Sequence, residues 1–166
     1  MSNEIERKFL ISQMPDLSNF ESVIYERYYI YRDGTIEMRV QKKGEQYEIE
    51  RKEMISELRA IKTKMVISKP EFEKLKELGM EAIIREGYFT SSNPDVSIKI
   101  YHGKFEGLNK VEVEFASEEE AKAFQIPTWY GEEITDSIIS RDSKLLDLSE
   151  EEIKNFLSDK NKDGMK

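Results

Sequence analysis

The sequence predicts an α+β fold that is mainly antiparallel β, and three observations carry that reading. Eight segments alternate apolar and polar residues with period 2: 3–11, 24–32, 35–43, 46–54, 59–67, 82–89, 95–102 and 109–116. Asp33-Gly34 and Lys43-Gly44-Glu45 fall between consecutive segments and read as hairpin turns. Three helix-start signals interrupt the pattern.

A meander of about eight such strands is of the kind that closes into a barrel or a deep half-barrel. Ser68-Lys69-Pro70 opens the first helix, with proline in its first turn and Gly79 at its end. Ser117 with Glu120, and Ser149 with Glu152, fit capping boxes for two more. The 166 residues suit a single domain, assigned to residues 1–157, followed by a polar tail over 158–166 expected to be disordered.

Net charge is −8, which argues against a general nucleic-acid binder. The absence of cysteine excludes disulfides, thiolate metal sites and cysteine nucleophiles. The N-terminus is polar, and no apolar run approaches the roughly 20 residues of a membrane helix. A cytoplasmic monomer or homodimer with no membrane partner is expected.

The strands are unusual in what alternates. Glu4, Glu6 and Lys8 share one face of the first strand, opposite Ile5 and Phe9. Arg39 and Gln41 share the polar face of the third, and Glu48, Glu50 and Lys52 that of the fourth. Lys62 pairs with Lys64, Ser97 with Lys99, and Glu112 with Glu114. Charges of one sign two residues apart repel unless screened, and a divalent cation held between the Glu pairs would screen them. If the charged faces are concave, the interior is a wet tunnel. Its Lys and Arg suit phosphate oxygens, and its Glu pairs suit Mg²⁺ or Mn²⁺.

These residues resemble the CYTH family, the triphosphate tunnel metalloenzymes. Glu4-Ile5-Glu6-Arg7-Lys8-Phe9-Leu10 looks like the family's N-terminal Glu-x-Glu-x-Lys signature. The run from His102 through Gly103, Gly107 and Leu108 to Glu112 resembles its aromatic-x-Gly…Gly-Leu…Glu-x-Glu stretch. Trp129-Tyr130-Gly131-Glu132-Glu133-Ile134-Thr135 resembles its Trp-x-Gly-x-Glu-Val-Thr segment.

The resemblance implies an eight-stranded closed, tunnel-like barrel with flanking helices, acting on a small-molecule triphosphate with Mg²⁺ or Mn²⁺. It implies metal ligation by Glu4, Glu6 and Glu114, with Glu112 close by, and phosphate binding by Lys8, Arg39 and Lys52; in hydrolysis, Glu112 or a second metal would orient the attacking water. Arg85 matches a basic position on the sixth strand. Arg27 is placed to face the tunnel, and Arg141 to reach a ligand. His102 reads as a turn residue, Trp129 as a packing anchor and Glu133 as a wall support.

The chain also departs from the pattern. Gln41 and Gly87 stand where members often carry further basic residues, and Lys62, Lys64 and Lys99 occupy strands that are often acidic. Those lysines either supply substitute phosphate contacts or neutralise Glu48 and Glu50. The implied activity is metal-dependent hydrolysis of tripolyphosphate or a nucleoside triphosphate. The rivals are an adenylate cyclase of the class IV type and a non-catalytic module that binds a phosphorylated ligand.

Overall fold

The computed structural model describes residues 2–164. Nine strands form one antiparallel sheet: β1 (Ser2–Ile11), β2 (Ser22–Asp33), β3 (Ile36–Lys43), β4 (Gln46–Met54), β5 (Arg59–Ile67), β6 (Ile83–Ser91), β7 (Asp95–His102), β8 (Asn109–Phe115) and β9 (Tyr130–Glu133). The spatial order is β5-β4-β3-β2-β6-β7-β8-β1-β9, and a further β5–β1 pairing joins the first eight into a ring. Along β1 the ladder to β5 covers Ser2–Ile5, the ladder to β8 covers Ile5–Leu10, and β9 pairs near Phe9 and Ile11. Gly34 and Gly44 take positive φ, 41° and 60°, where the β2–β3 and β3–β4 hairpins turn back.

Charge goes inside and apolar groups outside, the inverse of a dry barrel. Ile5, Phe9, Val111, Val113, Phe115 and Tyr130 pack outside the ring against Ala121 of α2 (Glu118–Ala123). Phe72 of α1 (Lys69–Leu75) covers Val40 and Ile67. Leu145 of α3 (Asp142–Leu145) and Ile153 of α4 (Glu150–Gly164) close a third cluster with Ile83, Phe105 and Leu108. These clusters supply the apolar burial that the lumen cannot.

The reciprocal capping box forms at Ser149–Glu152, and another at Ser68–Glu71. At Ser117 only the serine half is made, with its hydroxyl accepting from the Glu120 amide. β9 and α3 lie beyond the elements expected from alternation and caps. β9 has only four residues, too short for a periodic signal. α4 continues to Gly164, into the stretch read as a polar tail, because no proline or glycine interrupts it earlier. Residues 165–166 of that tail lie outside the described residues.

Candidate active site

The ring encloses a cavity of about 1180 Å³, and all thirteen side chains singled out as site candidates line it. Twelve acidic and twelve basic residues line it altogether, so the net −8 of the chain lies elsewhere.

One region is acidic. Glu6 stands opposite Glu114 in the β1–β8 ladder, and Asp95 opposite Glu114 in the β7–β8 ladder. Glu4 reaches Lys52 at 2.5 Å and Lys62 at 2.9 Å, one with each carboxylate oxygen. Burial pushes the Glu4 carboxyl up, but Lys52 and Lys62 outweigh it and hold it well below the usual carboxylate range. Glu114, at the exposed edge of this region, behaves oppositely: partial desolvation raises it, Glu4, Glu6 and Asp95 raise it further, and Lys62 opposes them. Glu6 lies 3.3 Å from Lys8 and 3.8 Å from Lys52. Lys8 also donates to the Ser140 carbonyl at 2.8 Å.

A second region is built on arginine. Arg39 pairs with Glu50 and donates to the Tyr29 hydroxyl at 3.1 Å. Arg85 contacts Glu112 at 3.1 Å and Asp142 at 3.5 Å, and Arg27 contacts Asp142 at 3.0 Å. The Tyr101 hydroxyl donates to Asp142, and Lys110 lies 3.4 Å from the same carboxylate. Burial raises Asp142 and Glu112, but their cationic neighbours, Arg85 first, hold both well below the usual range. Arg141 pairs with Glu37 at 2.8 Å. The Nε–H groups of Arg27, Arg39, Arg85 and Arg141 are all buried without a protein acceptor.

Among the lysines, Lys62 sits on Glu4 and, at 3.9 Å, on Glu50, while Lys64 lies 3.9 Å from Glu48. Among the described residues Lys99 has no carboxylate within ion-pair distance, although Glu112 attracts it from farther off, and its ammonium lies 4.7 Å from the centre of the Tyr25 ring. Trp129 packs its ring against Tyr130 at 4.6 Å, and Glu133 accepts from Arg7 at 2.6 Å. His102 is the last residue of β7.

Asp142, Tyr101, Lys110, Tyr25 and Tyr29 also belong to this charge system and are not among the residues to which the sequence assigns a site role. Four of them had a signal. Tyr25 and Tyr29 share the face of Arg27, Tyr101 that of Lys99, and Lys110 that of Glu112. Asp142 had none, since it enters from outside the ladder.

The donor set of the acidic region fits a hard divalent cation, offering carboxylate oxygens only. Glu114, flanked by acids that one lysine opposes, marks where positive charge is wanted. Among the described residues no three acidic or imidazole groups are already gathered as a metal cage. Glu4 would exchange a lysine for the ion.

No family model matches the chain. The inorganic triphosphatase of Nitrosomonas europaea is 30% identical over 136 residues, covering 80% of this chain and 89% of the relative. The chain belongs to the CYTH family of triphosphate tunnel metalloenzymes. The crystal structure of the inorganic triphosphatase NE1496 matches with a TM-score of 0.64 and 28% identity, over 87% of this chain and 95% of that one. A putative adenylate cyclase from Bacillus halodurans shares the fold at a TM-score of 0.54 and 16% identity, over 77% and 95% of the two chains. Within the CYTH pattern, two departures now have a physical reading. Gln41 donates to Glu48 at 3.2 Å rather than adding a cation. Gly87 stands opposite Lys99 and leaves the space that Lys99 and Tyr25 fill.

Proposed function

We propose that the protein is a divalent-metal-dependent triphosphatase of the cytoplasm, hydrolysing inorganic tripolyphosphate or a nucleoside triphosphate inside its tunnel. The observation that carries this reading is that four arginines, Arg27, Arg39, Arg85 and Arg141, line one cavity. Phosphate oxygens satisfy several guanidinium donors at once. The relationship to an inorganic triphosphatase points the same way.

Glu6, Glu114 and Glu4 are the residues that would hold Mg²⁺ or Mn²⁺, which supplies charge neutralisation at the phosphoryl oxygens. Arg27, Arg39, Arg85 and Arg141 hold the phosphate chain, with Lys8 and Lys52 at its border with the carboxylates. Lys62 and Lys64 balance Glu4, Glu50 and Glu48. Glu112 remains ionised beside Arg85 and Lys8. It orients the attacking water by accepting a hydrogen bond from it. The water oxygen bonds to the terminal phosphorus, the bridging P–O bond breaks, and the proton ends on released phosphate or solvent. Positioning and charge stabilisation are sufficient for such a loose transfer.

The test is a product assay with tripolyphosphate, ATP and GTP, each with Mg²⁺ or Mn²⁺. Metal-dependent orthophosphate release, abolished in Glu6→Gln, is expected. Pyrophosphate with a cyclic nucleotide would indicate a cyclase instead. Tight binding with no release would make the tunnel a binding module.

A further inference from the structure

Tyr25 is surrounded by cations. Lys99, Arg27, Arg85 and Lys43 lie 4.7, 5.2, 5.3 and 5.7 Å from its ring centre. Arg27 and Arg85 share Asp142 and Glu112. Among the described residues, neither Lys99 nor Lys43 has a carboxylate within ion-pair distance. Lys99 is only 8% exposed. A desolvated ammonium with no acid in contact, attracted by Glu112 only from beyond ion-pair distance and close to two guanidinium groups, is unfavourable by itself, and a ring face compensates only part of that cost.

The arrangement also needs Gly87. A Cβ there would stand 2.9 Å from the Tyr25 ring and 3.1 Å from the Lys99 ammonium. Glycine at 87 on β6 thus makes room for a cation carried on β7.

We propose that Lys99, seated on Tyr25 in the space left by Gly87, binds a terminal phosphoryl group of the substrate, with Tyr25 as its positioning residue. This rests on the reading of the tunnel as a triphosphate site. The cluster holds four cations and two acids, an excess of two positive charges. A terminal phosphoryl group carries up to two negative charges, whereas each interior phosphoryl of a chain carries one. The strongest uncompensated positive charge therefore meets the densest negative charge. Lys43, on the neighbouring strand, adds to the same field.

The test compares two probes by calorimetry without divalent metal: linear tripolyphosphate, which has terminal groups, and cyclic trimetaphosphate, which has none. Lys99→Gln is expected to weaken tripolyphosphate binding roughly 10- to 100-fold, the loss of one charge-assisted contact. It should change trimetaphosphate binding little. Tyr25→Phe keeps the ring and should bind as the parent does. Tyr25→Leu and Gly87→Ala keep every charge but displace Lys99, so both should lose part of the preference for the linear anion.

The melting temperature separates binding from scaffolding. Removing an unpaired buried cation should leave it unchanged or higher, whereas a structural lysine would lower it. Equal loss of both anions, undiminished tripolyphosphate binding, or a lowered melting temperature in Lys99→Gln overturns the assignment. So does a parent protein that binds neither probe. Because binding is read without turnover, a parent that binds tripolyphosphate but releases no phosphate overturns the hydrolase reading and not this one.

Discussion

Glu6 and Glu114 face one another as register partners across β1 and β8. Like charges directly opposite destabilise a ladder by up to about 1 kcal/mol, and burial together with Glu4, Glu6 and Asp95 raises the Glu114 carboxyl. Glu114→Gln is therefore expected to raise the metal-free melting temperature by roughly 2–4 °C. If Mn²⁺ raises the melting temperature of the parent, as the proposed site requires, the same variant should lose that shift. Differential scanning calorimetry with and without Mn²⁺ decides it, and an undiminished shift would remove Glu114 from the metal site.

Glu50 gives the tunnel an acid limit. Burial pushes its carboxyl up, but Arg39, then Arg27, Lys62 and Lys52, bring it down to about 2 from 4.5. A depressed carboxylate contributes stability that is complete above its unfolded value and is lost as pH falls from 4.5 towards about 2. The contribution is on the order of 3 kcal/mol. Glu50→Gln should lose that much at pH 7, and the gap between parent and variant should close on acidification. Urea unfolding at neutral pH and at about pH 3 measures both; a gap that stays constant contradicts the account.

Lys110 acts at the other end of the scale. It is fully buried, and burial together with Lys8 pulls its ammonium down to about 8 despite the attraction of Asp142. The folded chain then holds this proton less tightly than the unfolded chain does. Stability from this group rises as pH goes from about 8 towards 10.5. Lys110→Met should flatten that rise without greatly destabilising the neutral protein, since Asp142 keeps Arg27, Arg85 and Tyr101. Denaturant midpoints between pH 7 and 10 provide the comparison, and parallel curves would refute it.

Arg7 makes the opposite case, a charge on the outer face. It donates to Glu133 at 2.8 and 2.6 Å and to the Ala121 carbonyl at 2.8 Å, tying β1 to β9 and α2. Arg7→Met is expected to cost about 1–3 kcal/mol of stability while leaving tripolyphosphate affinity unchanged. Glu133 is partly exposed, so screening places the loss towards the lower figure. Weakened anion binding in a folded Arg7→Met protein would show that the wall and the lumen are not independent.

Strand boundaries and the inward set were legible because a period of 2 ties each residue to a face, and Glu4, Glu6 and Lys8 could turn inward only together. What could not be read is which charge meets which. Lys62 serves Glu4 through the β1–β5 closure, a contact between residues far apart in sequence. Asp142 reaches the arginines from a short helix that carries no periodic pattern. Gly87 reads in sequence as a missing cation, because only the register places Lys99 in the adjoining space.

The pairing of β1 with β5 on one side and β8 on the other sets an order of events for the growing chain. Ribosomes deliver β1 first, yet its β8 partner ends at Phe115, about a hundred residues later. Until β8 is made the sheet cannot close between β7 and β1, and its lumen groups lie on the face of an open sheet. Closing so large a loop is entropically slow, and the first strand waits longest for its neighbours. Anion capture therefore reports on a finished ring, and a chain arrested before β8 carries Arg27, Arg39 and Arg85 on an open sheet with no closed lumen around a phosphate chain.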